Sequence, residues 1–380
     1  MHGDCLGVGK FIPSEWFDSK NHDREWYIGG AKAREFNRRL LGIHPPSEIT
    51  RTPKELPDPK LHASEWRNLN LYYVLVYLKG LMPEKYLRHW LLFVYGMYVF
   101  LQPEISDDEH RIAEGALSGF VSQVERLYGK RFMRFNVHLL LHIARFVKKY
   151  GSLWAWSTYP FEHINGVIQT LYHGTQDITL QICKAYTYMG NIKNRSEIFD
   201  RPDCSAQGEQ LFQSLMSQCR IRLCLKCEDD LRLFGVPYSM DLSLNQKLEI
   251  EQLLETEIEN EASSYDRFIY KNVLYNTTQY TRLEKRHNST ILTQDNELVV
   301  IADLIAVKPI GETQETYIVS GIKIEVLSEE LCKNGHISTN LYSFIGKETS
   351  ISVFIKPSSI KKKCVRIPYQ QGKLYISYHL

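Results

Sequence analysis

One acidic residue, Glu162, stands in a stretch whose composition suits chemistry, STYPFEHINGVIQTLYHGTQ at 157–176. Pro160 suits the first turn of a helix and Ser157 or Thr158 suits its N-cap, so Glu162 is predicted to lie in that first turn. Two interpretations stay open. The residues alone favour a carboxylate that compensates the positive end of the helix dipole. The functional alternative is a metal-binding or general-acid carboxylate held beside aromatic side chains.

Two histidines, His138 and His142, are four residues apart in NVHLLLHIARFVKKYG, a stretch with a helical pattern. At this spacing both side chains lie on one face of a helix, and two such histidines can ligate zinc. The intervening residues are all leucine, so the glutamate of an HExxH motif is absent. Core packing or interhelical hydrogen bonding is the favoured interpretation.

Three cysteines, Cys219, Cys224 and Cys227, form C-x4-C-x2-C, with Cys204 as a nearby addition. A structural zinc site normally has four ligands, and the sequence supplies no other close cysteine or histidine. Residues 214–234 have the pattern of one continuous helix, which is favoured over metal binding here.

Two basic clusters lie in the C-terminal part of the chain. The first is Arg282, Lys285, Arg286 and His287 in TRLEKRHNST, and the second is Lys361, Lys362 and Lys363 in SSIKKKCVRIP. Both are candidate phosphate contacts, and Tyr275 and Tyr280 are close enough to the first cluster to stack on bases. The alternative is solvated turns and strand edges, where lysine discourages edge-to-edge pairing. For the first cluster the two interpretations are equally supported. For the second cluster a solvated turn or strand edge is favoured over phosphate contact.

Composition is typical of a globular protein with two domains. A chain of 380 residues is long for one hydrophobic core, and 43% hydrophobic with 24% charged residues excludes a disordered chain. The net charge of +2 gives no strong polyanion-binding field from composition alone. The most apolar run, 91–101, is shorter than the roughly 20 residues of a membrane span, so it is predicted to be a buried helix. Eight cysteines without a disulfide framework, and no signal peptide, indicate an intracellular location.

The predicted elements divide the chain into four parts. They are an irregular segment at 1–62 with a helix near 31–41, a helical domain at 63–235, an acidic helical linker at 236–266 and a small β-rich domain at 267–380. In the helical domain Ser106 and Glu109 have capping-box spacing, Gly129 suits a helix end and Asn136 suits an N-cap. Seven short runs rich in Val, Ile, Thr and Tyr predict a small antiparallel barrel or sandwich. The fold class is therefore α+β.

Several stretches resemble one protein family. They are MHGDCLGVGK, residues 61–93, residues 127–176 and TQYTRLEKRHNST. These are similar to the C-terminal half of transposases of the CACTA superfamily, and more closely to the animal transposase domain-containing proteins derived from it. The similarity covers 1–194 and, more loosely, 269–377. Its most specific parts are YPFE at 159–162 and FNVHLLLH at 135–142.

The resemblance implies a catalytic core similar to ribonuclease H, in which two Asp and one Glu hold two magnesium or manganese ions for strand transfer. It assigns Glu162 as the third acid and His2 as the histidine of an Asp-x-x-His motif. The helical domain is then the remnant of that core with its helical insertion. The two Asp are expected upstream of Met1, so this chain is expected to be inactive, with no complete metal site and no cofactor.

The sequence and the resemblance together predict a transposase-derived nuclear protein that binds DNA and no membrane. DNA contacts are expected from the first cluster's Arg282, Lys285 and Arg286 and from the second cluster. Two alternatives remain open. One is a protein–protein adaptor whose barrel recognises a peptide, and the other is a fragment of an active metal-dependent transposase.

Overall fold

The computed structural model describes residues 7–58, 60–155, 157–195, 205, 207, 224–226 and 230–378. They form two compact units, one within 1–155 and 223–380 and the other within 156–222. The first unit has an N-terminal helical region followed by a β-rich region with a closed six-stranded antiparallel barrel. The predicted α+β class and barrel are confirmed.

Helices fill the N-terminal region of the first unit. They are α1 (Gly9–Phe17), α2 (Gly30–Leu41), α3 (Ala63–Asn68), α4 (Val74–Leu78), α5 (Glu84–Phe100), α6 (Asp107–Tyr128) and α7 (Phe135–Tyr150). A π-helical turn, Leu69–Tyr73, joins α3 to α4. The helix predicted near 31–41 is confirmed as α2. Helix α1 was not predicted; it carries Pro13 in its interior, where proline normally argues against a helix.

Helix α5 is buried over most of its circumference, which confirms the prediction for residues 91–101. Helix α6 packs closely against it, because Gly96 has no side chain and a Cβ there would lie 2.7 Å from Leu117. The predicted caps of α6 are confirmed: Ser106 and Glu109 form a capping box, and Gly129 ends the helix with a φ of 97°. No helix among the described residues is long and apolar enough to span a membrane.

Helix α7 lies on α6 through a stripe of small and branched apolar side chains. Val137, Leu140 and Val147 are buried, and His110 of α6 donates a hydrogen bond to the carbonyl oxygen of Ala144 at 2.8 Å. The prediction of Asn136 as N-cap was wrong. The chain enters α7 from a short 3-10 turn, so the extended residue before the helix is Arg134.

The second unit contains α8 (Tyr159–Gln169) and α9 (Ile178–Arg195). Pro160 lies in the first turn of α8, as predicted.

The β-rich region belongs to the first unit and includes α10 (Leu244–Leu254). Its strands are β1 (Cys224–Lys226), β2 (Leu231–Phe234), β3 (Tyr238–Asp241), β4 (Ile258–Tyr265), β5 (Arg267–Tyr270), β6 (Val273–Asn276), β7 (Thr290–Thr293), β8 (Leu298–Pro309), β9 (Thr316–Val326), β10 (Lys333–Asn334), β11 (Ile337–Ser338), β12 (Ser343–Ile355), β13 (Ile360–Pro368) and β14 (Leu374–Tyr378). Each of the seven predicted strand runs contains a strand.

The barrel closes in the order β8–β7–β13–β14–β12–β9, and β9 pairs back onto β8. Closure removes the free sheet edges that otherwise favour aggregation. Strands β4 and β3 extend from β8, and β1, β2, β5 and β6 form a separate four-stranded sheet.

Two secondary-structure predictions were wrong. The acidic segment 236–266 is helical only over α10, because Ile258 and Ala262 of β4 are buried where that strand pairs with β8. Within 214–234, the described residues form β1 and β2 rather than a helix, since β2 pairs with β5. In both cases long-range strand pairing overrides a local helical pattern.

The helical region and the barrel share one hydrophobic core. Tyr342, which precedes β12, is buried with its ring centre 4.7 Å from that of Tyr98 on α5. Val365 and Ile367 of β13 belong to the same cluster as the helix side chains. The two regions therefore pack as parts of one unit.

Candidate nucleic-acid interface

The exposed face of α7 carries a stripe of basic side chains, in which Arg134, Arg145 and Lys149 are the cations. Opposite the buried stripe lie Arg134, His138, His142, Arg145 and Lys149, at spacings of three or four residues, and all five are exposed. At these spacings side chains share one helix face. The stripe is about 22 Å long, at a rise of about 1.5 Å per residue.

No acid interrupts this face, because α7 contains neither Asp nor Glu. Among the described residues no ion pair involves Arg145, Lys148 or Lys149. The guanidinium of Arg134 lies 3.5 Å from the ring centre of Phe11, a stack that leaves its edge free to donate hydrogen bonds in the plane. The charges are therefore displayed toward solvent.

Aromatic side chains border the positive stripe. Phe135 is 73% exposed, and the rings of Phe146 and Tyr150 stack at 6.1 Å between centres. The ammonium of Lys149 lies 5.1 Å from the centre of the Tyr150 ring. Cations beside exposed rings are typical of surfaces that bind single-stranded nucleic acid, whose unpaired bases can stack on the rings. The sequence analysis did not predict this face, although the spacing of its cations and its lack of acids can be seen in the sequence.

Four cations of the predicted barrel clusters are exposed. Arg282 and Lys285 lie in the turn before β7, and Lys361 and Lys362 lie on β13. The pairing of β13 with β7 shifts register between Ile360 and Lys362, and this bulge turns two successive lysines outward. The ammonium of Lys361 donates to Asn296 at 2.9 Å.

Arg286 is used inside the fold, which corrects its assignment to nucleic acid. Its guanidinium donates to the carbonyl oxygens of Pro46 and Ile49, and to that of Thr50 at 2.7 Å. These contacts hold the connector between α2 and α3 against the barrel. With both Nη atoms bonded to this connector, Arg286 does not belong to the candidate surface.

Lys363 is likewise internal, with a side chain only 3% exposed. Its ammonium donates to Glu48 at 2.8 Å, to Asn288 Oδ1 at 3.2 Å and to the carbonyl oxygen of Leu274. Burial lowers the pKa of Lys363, and the Glu48 carboxylate opposes that shift. A buried, fully engaged ammonium cannot reach a phosphate, so this assignment is also corrected.

The aromatic residues predicted to stack on bases are occupied too. Tyr275 is 3% exposed and stacks on Phe268 at 5.2 Å between ring centres. The hydroxyl of Tyr280 accepts from Arg267 at 3.1 Å. His287 is half-buried, and burial together with the nearby Arg366 lowers its pKa to about 4, so it adds no charge near neutral pH.

Glu162 lies in the first turn of α8, as predicted, and is exposed. Thr158, at the N-cap, donates its hydroxyl hydrogen to Glu162 Oε1 at 3.3 Å. This geometry suits dipole compensation as well as a metal ligand. Within the described part of the chain, no three His, Cys, Asp or Glu side chains are grouped to hold a metal.

The two histidines of α7 form an exposed pair with Nε2 atoms 3.2 Å apart. The expectation of core packing or interhelical bonding was wrong, because the buried stripe of α7 lies on the other face. His2, Cys204, Cys219 and Cys227 lie outside the described residues, and only the backbone of Cys224 is described. The cysteine interpretation therefore stays a prediction.

No protein-family model matches the chain, and no curated protein or solved structure is significantly similar to it.

Proposed function

We propose that this chain is a transposase-derived protein that binds DNA through the exposed face of α7. The observation that carries the proposal is the acid-free positive stripe, in which Arg134, Arg145 and Lys149 stand beside exposed aromatic rings. Neutralising phosphates with such cations releases counterions, and this supplies most of the affinity of sequence-independent DNA binding.

Helix-dipole compensation does not account for the whole stripe. Lys148 and Lys149 lie in the last turn of α7, where the dipole favours cations. Arg134, however, precedes the first turn, where the dipole disfavours a cation. Positive charge at both ends of α7 is instead expected of a helix that binds along an extended polyanion.

The barrel supplies a second proposed contact through Arg282, Lys285, Lys361 and Lys362. The resemblance to CACTA transposases supports DNA as the polyanion. On the same basis we propose that the helical region derives from a ribonuclease H-like core with its insertion, and that Glu162 stands where that family has its third acid.

The proposal is tested by fluorescence anisotropy with a labelled duplex of about 20 base pairs, between about 50 and 200 mM NaCl. For B-DNA, the slope of log K against log salt changes by about 0.9 per phosphate contact. Replacing both Arg145 and Lys149 by glutamine should therefore reduce the slope by about 1.8. A matched control, Lys32→Gln with Lys347→Gln, removes two exposed lysines elsewhere and should leave the slope unchanged.

An equal loss in the control variant would show that only net charge matters, and the α7 proposal would then be wrong. Replacing Arg282 and Lys285 by glutamine asks separately whether the barrel contacts the same duplex. Catalysis is not part of the proposal. Magnesium- or manganese-dependent nicking of supercoiled plasmid that disappears in Glu162→Gln would replace it with an enzymatic function.

A protein partner is the second candidate, favoured by apolar exposure in the second unit. Phe161, Tyr186 and Tyr188 are 68%, 70% and 67% exposed. Large exposed apolar side chains are typical of surfaces that bind other proteins when they form one patch. A specific complex that survives nuclease treatment and is lost on replacing both tyrosines by serine would favour an adaptor.

A further inference from the structure

The imidazoles of His138 and His142 lie within hydrogen-bonding distance of each other through their Nε2 atoms, a separation that also suits two ligands of one metal ion. Their Nε2 atoms lie 3.2 Å apart, and the ring planes are inclined at 80° with centres 5.0 Å apart. Two nitrogen ligands on a tetrahedral zinc ion, each at about 2.0 to 2.1 Å, are themselves separated by about 3.3 to 3.4 Å. The separation on α7 is therefore close to the one that a shared ion requires.

The helix holds the two rings in this arrangement before any ion binds. Four-residue spacing places them one turn apart on the same face. The buried side chains of Leu140 and Val147, and the hydrogen bond from His110 to the Ala144 carbonyl, fix α7 against α6. A ligand pair on an anchored helix loses little freedom when it closes on an ion.

We propose that His138 and His142 bind one divalent transition-metal ion through their Nε2 atoms. Neutral imidazole suits Zn²⁺, Ni²⁺ and Cu²⁺, and Cu²⁺ is expected to bind most tightly. Mg²⁺ and Ca²⁺ prefer oxygen ligands and are not expected to bind. In the described part of the chain no third His, Cys, Asp or Glu joins the pair, so the other coordination positions are open to water or an added ligand. The site does not depend on the proposed DNA binding.

The test is a calorimetric titration of the full chain with Cu²⁺ and Zn²⁺, after chelator treatment and without a polyhistidine tag. The wild-type chain should bind one ion in the micromolar range or tighter. His138→Ala and His142→Ala should each weaken binding on the order of tenfold or more, because a chelate becomes a single ligand. His336→Ala is the matched control, since His336 is also exposed but lies beyond α7 on the β-rich region.

Electron paramagnetic resonance of the Cu²⁺ complex supplies an independent readout. Nitrogen hyperfine structure from two imidazoles is expected in the wild type and from fewer in either α7 variant. Circular dichroism checks that these exposed substitutions leave the fold intact. The proposal is overturned if the wild-type chain binds no ion below millimolar concentration, or if His336→Ala weakens binding as much as the α7 variants.

Discussion

Two adjacent lysines, Lys362 and Lys363, have opposite roles in the structure. Two separate variants, Lys363→Met and Lys362→Met, test these roles. Lys363 is buried and donates to Glu48, Asn288 and Leu274. Lys362 is exposed on the same strand. The first variant should lose stability and the second should lose DNA affinity.

The stability loss follows from what the missing ammonium leaves behind. Removing one partner of a buried ion pair costs about 3 to 5 kcal/mol, because the other charge stays desolvated. Methionine replaces most of the packing of the lysine stem. The Glu48 side chain is 29% exposed, so its carboxylate can regain some water. We therefore expect the lower end, about 3 kcal/mol, which at about 2 °C per kcal/mol is a fall of about 6 °C in Tm.

Thermal unfolding followed by circular dichroism measures the first effect, and the salt dependence of DNA anisotropy measures the second. Lys362→Met should change stability by no more than about 0.5 kcal/mol and the salt slope by about 0.9. Adding Glu48→Gln to Lys363→Met should recover part of the lost stability, since the unpaired carboxylate is then neutral. A Lys363→Met protein that melts with the wild type, or that loses salt slope while folded, would refute the internal role of Lys363.

Three further substitutions test the core. Burial lowers the pKa of His89 from 6.5 to about 4, so between these pH values the unfolded chain binds a proton that the native state excludes. The free energy of unfolding should therefore fall as the pH drops from 6.5 toward 4. The expected loss at pH 5 is about 2 kcal/mol. Urea unfolding at pH 7 and 5 should show that His89→Gln removes this part of the acid loss, and an unchanged loss would contradict it. A Cβ on Gly321 would lie 2.7 Å from the Val300 carbonyl oxygen, so Gly321→Ala should cost about 1 to 3 kcal/mol. Gly96→Ala should cost less, because its Cβ would meet the side chain of Leu117 rather than a backbone carbonyl and because alanine gains about 1 kcal/mol of helix propensity over glycine. If the urea midpoint of Gly96→Ala lies below that of Gly321→Ala, both expectations are contradicted.

Local features of the sequence determined much of the secondary structure. The capping box at Ser106 and the terminal Gly129 define α6, since caps depend on residues a few positions apart. The apolar run at 91–101 forms a buried helix, and six of the seven predicted strand runs after 267 supply the barrel strands. The sequence also placed Glu162 in a first helical turn.

Strand pairing decided where local patterns failed. The acidic stretch ending in β4 has helical composition, yet its second half joins β8 because Ile258 and Ala262 are buried there. The residues near β4 do not identify this partner strand, because β8 begins only at Leu298, far along the sequence.

The candidate site was decided by burial and by distant partners. A run of three lysines is uniform in sequence, but the bulge in β13 turns Lys361 and Lys362 outward and Lys363 inward. The carboxylate that accepts from Lys363, Glu48, is 315 residues away along the chain. Tertiary contacts therefore decide which cations are available to bind a ligand. A buried ammonium is stable only when it is paired, whereas an exposed ammonium is solvated by water.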